Sequence, residues 1–289
     1  MIDSIKLIKL ETTNESLISK ISNIIIEDSL IIIQDKTTSS IFIFNKDGKF
    51  KNKISRIGEG PGEYNEVSDL MIDIKRNLLM VYDVNMRKMI FYTINGDFVR
   101  EINHFSNGMA MRDVINLPNG RFLCYSNEKT KSHGILWEVD SVGVFSKNLL
   151  NNENSYPIYL TESSTYLYKL SENKFGLIDI SSNNVYHYEN DTLSKYLSYR
   201  LDAPSVTNYA GDFTRTKYHS IYSIQEKGDH ILSLWTDENS QYYVHLYFKK
   251  DNASITSQGI VYDINIHGVW GFMVNVNRPD LMVLFLPLS

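Results

Sequence analysis

The chain has 289 residues, 43% of them hydrophobic and 12% aromatic, which is ample for a core and suits half-buried strand faces. Its formal net charge of −5, with basic residues scattered along the chain, excludes nucleic acid as the main partner, since phosphate binding needs a concentrated basic surface. The single cysteine, Cys124, excludes an internal disulfide, and no run approaches the roughly 18–20 apolar residues of a membrane helix.

In chain order, residues 4–10 alternate polar and apolar side chains, as an outer strand does. Strands are predicted at residues 23–28, 29–33, 41–44 and 50–54, with Asp47-Gly48 supplying the tight turn before the last of them. A second set follows at 70–74, 78–83, 88–92 and 98–102, with Asn95-Gly96 in the matching turn. Residues 112–150 hold a third set around Pro118-Asn119-Gly120, and Cys124 reads as a small buried hydrophobe within it. Residues 166–201 and 219–260 hold the fourth and fifth, and 264–289 supply only two or three further strands.

These sets repeat. Gly48 and Gly96 are 48 residues apart, and the same offset pairs Asp35 with Asp83 and Ile54 with Ile102. Doubling it pairs Asp83 with Asp179 and Tyr92 with Tyr188. A period of roughly 40–50 residues with about four strands per unit is the signature of a β-propeller blade. Dividing the length by that period gives about six units. The expected fold is therefore all-β: one six-bladed propeller domain over 1–289, with four-stranded antiparallel blades at 24–54, 69–102, 112–150, 166–201, 219–260 and 264–289. Residues 4–10 are expected to close the ring by pairing with the last blade, which would remove two exposed sheet edges. The molecule is expected to be a monomer.

Residues 56–64, Arg-Ile-Gly-Glu-Gly-Pro-Gly-Glu-Tyr, carry a GxGPGEY pattern between the first two blades. With the Asp83 strand end and residues 94–98, this resembles the six-bladed NHL-like or TolB-like propellers that gut bacteria make as exported lipoproteins. The resemblance implies fold and export to the periplasm or cell surface, and it implies no reaction. Residues 1–6 lack the apolar core of a signal peptide, so a cytoplasmic location stays open on the sequence.

The glycine-rich run is not a phosphate loop, because Glu63 and Tyr64 stand where Gly-Lys-Ser/Thr would be needed and a strand follows. Three glycines and a proline suit a tight connection between blades. The seven histidines show no metal-binding spacing, and His104, His219 and His267 fall between blades; no metal or other cofactor is expected. No nucleophile elbow is present. Residues 151–165 and 202–218 are polar and aromatic, as binding loops are. A ligand site is accordingly expected where interblade connections gather, from Arg56, Glu63, Tyr64, Arg112, Tyr159, Arg215, Tyr218, His219 and Trp270. The expected function is non-enzymatic binding of a glycan, peptide or protein. The alternative is a metal-assisted hydrolase or lyase acting on a glycan or lactone.

Overall fold

A computed structural model describes residues 7–27, 29–109, 111–126, 134–151, 166–179, 182, 184–198, 220–236, 242–258, 273–274 and 283–284. Five four-stranded antiparallel sheets follow one another along these residues, each a meander of consecutive strands. The first holds β1 (Ile21–Ile26), β2 (Leu30–Asp35), β3 (Ser40–Asn45) and β4 (Phe50–Ile54); the second holds β5 (Asp69–Asp73), β6 (Leu78–Asp83), β7 (Lys88–Thr93) and β8 (Phe98–Ile102). The third holds β9 (Asp113–Asn116), β10 (Phe122–Tyr125), β11 (Leu136–Val139) and β12 (Phe145–Leu150). The fourth holds β13 (Leu167–Lys169), β14 (Lys174–Asp179), β15 (Asn184–Glu189) and β16 (Thr192–Ser198). The fifth holds β17 (Ser220–Lys227), β18 (His230–Thr236), β19 (Tyr242–Phe248) and β20 (Ala253–Gln258). The fold is a β-propeller with these sheets as blades.

Two expectations are corrected. Among the described residues there are five blades, not six: the C-terminal segment contributes only β21 (Met273–Val274) paired with β22 (Val283–Leu284). Dividing length by a constant period failed because the repeats are uneven in length. First strands begin at residues 21, 69, 113, 167 and 220, so successive blades start 48, 44, 54 and 53 residues apart. The strand expected to close the ring is not found over residues 7–10, which lie in no strand, while residues 4–6 fall outside the described residues. The N-terminal segment instead lies along the first blade, where Glu11 N donates to Gly48 O at 2.8 Å and Phe50 N donates to Glu11 Oε2 at 2.9 Å.

The strand patterns follow from their places in a blade. The second and third strands are covered on both faces, so β2, β3, β6 and β7 read as nearly continuous apolar runs and are almost wholly buried. The outer strand β4 alternates exposed lysines with half-buried Phe50 and Asn52 and ends on buried Ile54.

The chain divides into two compact units, one of residues 1–110 with 274–278, the other of 111–273 with 279–289. The first unit packs blades one and two around Ile32, Ile41, Ile43, Tyr64, Leu79, Val81, Ile90 and Tyr92. The second is centred on Leu123, Tyr125, Leu136, Phe175, Leu177 and Tyr188, which join blades three and four, with Ile231 of blade five in the same cluster.

Candidate functional site

The glycine-rich connection folds back on itself before entering blade two. Tyr64 N donates to Arg56 O at 2.9 Å, and Gly58 N donates to Tyr64 O at 3.0 Å, making a parallel bridge between Ile57 and Tyr64. Between them Glu63 N donates to Gly60 O at 3.1 Å, while the Glu63 carboxylate accepts Gly60 N at 2.9 Å. Blade two grips the turn from below. Lys88 Nζ donates to Gly60 O and to Glu101 Oε2, both at 3.2 Å. Gly62 N donates to Glu101 Oε2 at 2.8 Å, and Tyr92 Oη donates to Gly62 O at 2.7 Å.

Tyr64 is fully buried, and its hydroxyl donates to Ile54 O at 3.2 Å. Burial pushes its phenol up to about 12, against the opposing pull of the Arg56 backbone N–H and charge. Burial also pushes the Tyr92 phenol upward. The Glu101 carboxyl is raised by burial but lowered more by the Gly62 N–H and Lys88, and ends below the ordinary range. These groups hold the loop; Tyr64 is an anchor whose ring presents no surface to a ligand.

Gly62 fixes the tightest point. Its φ is +71°, and a Cβ there would lie 2.7 Å from the Phe98 ring. Gly62→Ala is expected to destabilise the fold by about 1–3 kcal/mol through left-handed strain and crowding, read as a lowered urea midpoint.

Of the other expected site residues, Arg56 is exposed and its Nη2 donates to Gly96 O at 3.3 Å; Glu63 is half-buried beside it. The structure therefore brings Arg56, Glu63 and Tyr64 into one loop. Arg112 is exposed at the start of blade three, in the second unit, where its backbone N donates to Tyr125 O at 2.8 Å. Tyr159, Arg215, Tyr218, His219 and Trp270 lie outside the described residues, as do His133 and His267. His104 is exposed, and among the described residues no three His, Cys, Asp or Glu side chains converge as metal ligands would.

The offset of 48 residues has a physical cause that sequence reading left without a role. Asp35 ends β2 and is fully buried; its carboxylate accepts Ser19 N at 2.6 Å, Lys20 N at 3.2 Å, Thr37 N at 2.9 Å and Thr38 N at 3.4 Å. Asp83 ends β6 and accepts Asn65 N at 2.6 Å, Glu66 N at 3.3 Å, Asn85 N at 2.9 Å and Met86 N at 3.0 Å. Each aspartate thus ties the segment arriving at its blade to the turn after the second strand. For Asp35, burial raises the carboxyl and the four N–H groups lower it, with a net result below the ordinary range. Asp179 ends β14 in the equivalent place and accepts the Ser182 hydroxyl.

Two ionic clusters hold the seams of the second unit. Glu138 on β11 is fully buried between Arg121 Nη1 at 2.5 Å, Lys147 Nζ at 2.8 Å and Tyr188 Oη of blade four at 2.6 Å. Arg121 also pairs with Asp191, which accepts Tyr188 Oη at 2.9 Å. At the next seam Glu226 of β17 lies between His187 Nε2 at 2.7 Å and Lys249 Nζ at 2.5 Å, with Tyr196 stacked on His187 at 3.9 Å. Burial raises the Glu226 carboxyl, and His187 and Lys249 lower it more, to about 2. Residues so far apart in sequence give no local signal of pairing.

The acid response follows from Asp35, Glu101 and Glu226. Each folded pKa lies below its unfolded value, so the stability they add is complete above about pH 5 and is lost as pH falls toward 2. Urea midpoints are expected to be flat from pH 8 to 5 and to drop below it. Glu226→Gln should flatten part of the acid limb.

Comparison with known proteins places the chain. The DUF4934 domain, a domain of unknown function, matches residues 1–285. The chain belongs to the DUF4934 family. No curated protein matches it. Among solved structures, a candidate exported protein of Bacteroides fragilis is 21% identical to this DUF4934 chain with a TM-score of 0.74, covering 87% of this chain and 74% of the other. A DUF4221 member from Bacteroides vulgatus is 10% identical with a TM-score of 0.57, covering 87% and 84%. A chain of the nidogen–laminin complex is 10% identical with a TM-score of 0.50, covering 83% and 80%. At these identities the likeness is one of fold. Among the described residues of the DUF4934 chain, no helix is long and apolar enough to cross a membrane.

Proposed function

We propose that this protein is an exported, non-enzymatic binding module that takes a glycan or peptide through its interblade connections. The observation that carries this reading is the use made of its buried and half-buried acids. Asp35, Asp83, Glu101, Glu138 and Glu226 are all committed to backbone N–H groups or to ion pairs that fasten loops and blades. A frame whose ionisable groups serve as fasteners leaves recognition to loop side chains. Arg56, Glu63, Arg112, Tyr159, Arg215, Tyr218, His219 and Trp270 supply the bidentate donors and stacking rings such recognition uses, with Tyr64 positioning the first two. The exported description of the Bacteroides fragilis neighbour supports export, and the nidogen–laminin complex shows a similar fold in a protein assembly.

The test is a glycan array and a peptide array probed with the full chain, followed by titration of the best ligand. Trp270→Ala and Arg215→Ala should each weaken binding at least tenfold with unchanged circular dichroism, while Lys51→Ala leaves it unaltered. Chelator-sensitive turnover of an ester, lactone or glycan would replace this reading with the hydrolase or lyase one.

A further inference from the structure

Outer strands of a sheet expose unpaired backbone N–H and C=O groups, and proteins blunt them with charged side chains and bulges. Among the described residues, four of the five outer strands carry both devices. β4 has Lys51 and Lys53, β8 has Arg100 and Glu101, β12 has Lys147, and β16 has Lys195. Each of these four also pairs with its neighbour through a register shift.

β20 carries neither. Its sequence, Ala-Ser-Ile-Thr-Ser-Gln, has no charge, and it pairs with β19 in unbroken register from Tyr243↔Gln258 to Phe248↔Ala253. Residues 253–256 are exposed, Ile255 to 62%. We propose that β20 is a docking edge, and that its occupant is β20 of a second copy, antiparallel across a two-fold axis. The two fifth blades then form one continuous eight-stranded sheet.

Self-complementarity selects this occupant. A two-fold axis at Ile255 sets Ile255 against its own copy and Ser254 against the partner's Thr256. No charge meets its own copy. The same operation on β4 would set Lys51 against the partner's Lys53, a like-charge pair that opposes association. An isologous pair is also closed, so assembly stops at two. One strand edge is far smaller than the roughly 1,200 Å² of a stable interface, so the dimer is weak and depends on concentration.

Sedimentation equilibrium of the full chain from about 5 to 500 µM, a range chosen for a weak interface, should show a monomer–dimer equilibrium. Ile255→Lys puts a charge on the exposed edge without entering the core and should raise the dissociation constant at least tenfold. Val99→Lys, the same change on the already charged β8, should leave it unchanged. Hydrogen exchange on the unaltered protein supplies a measure independent of any variant: the peptide spanning 252–258 should gain protection at high concentration, and that spanning 97–102 should not. A monomer throughout the range overturns the proposal. So do a dimer insensitive to Ile255→Lys, protection that does not change at 252–258, and open-ended assemblies larger than two.

Discussion

Glu138→Ala is expected to cost about 3–5 kcal/mol of folding stability, the range for removing one partner of a buried ion pair. The carboxylate is wholly buried and answers Arg121, Lys147 and the Tyr188 hydroxyl together. Arg121 already holds a buried Nε without a partner, so losing Glu138 leaves a guanidinium with only Asp191 to meet it at the seam between blades three and four. At this chain length the loss corresponds to a melting point lower by ~10 °C. Replacing the pair together, Arg121→Met with Glu138→Leu, should recover most of the loss, because the large penalty belongs to the stranded charge. A Glu138→Ala change below about 1 kcal/mol in urea unfolding would show that the pair is solvated and not a fastener.

Asp83→Ala should cost about 3–5 kcal/mol, since four backbone N–H groups lose a charged acceptor in a site with no exposure to water. Asp83→Asn keeps one acceptor oxygen and should cost about half as much. The location of the effect separates a fastener from general core damage. Hydrogen exchange should rise first at residues 65–66 and 85–86, which the carboxylate ties together. If protection falls evenly across blade two instead, the aspartate has no such local role.

Local signals were legible where one strand and one turn decide the outcome. Asp47-Gly48 and Asn95-Gly96 announce hairpins, and β6 and β8 fall at the expected residues 78–83 and 98–102. The Asp35 and Asp83 pairing was visible as periodicity, but its reason was not, because the partners are backbone N–H groups that any residue supplies. The glycine-rich run gave away its tight turn through its glycines. That Tyr64 would face inward was hidden, since the Ile54 carbonyl that receives its hydroxyl leaves no mark in sequence. Blade number was misread for a different cause: strand patterns set the unit, but connection lengths set how many units a chain can hold. The Glu138 and Glu226 clusters join residues tens of positions apart, and only folding brings them together.

The two aspartate ties have a consequence for how such a chain can be copied. All four partners of Asp83 lie between residues 65 and 86, so the tie is contained within one repeat. A gene segment covering that repeat would carry its own lock and could be inserted or duplicated without borrowing a residue from its neighbours. The seams offer no such freedom, because Glu138 meets Tyr188 and Glu226 meets His187 across adjacent blades. Descent by duplication should therefore preserve the aspartates register by register while each seam diverges with its own pair of neighbours.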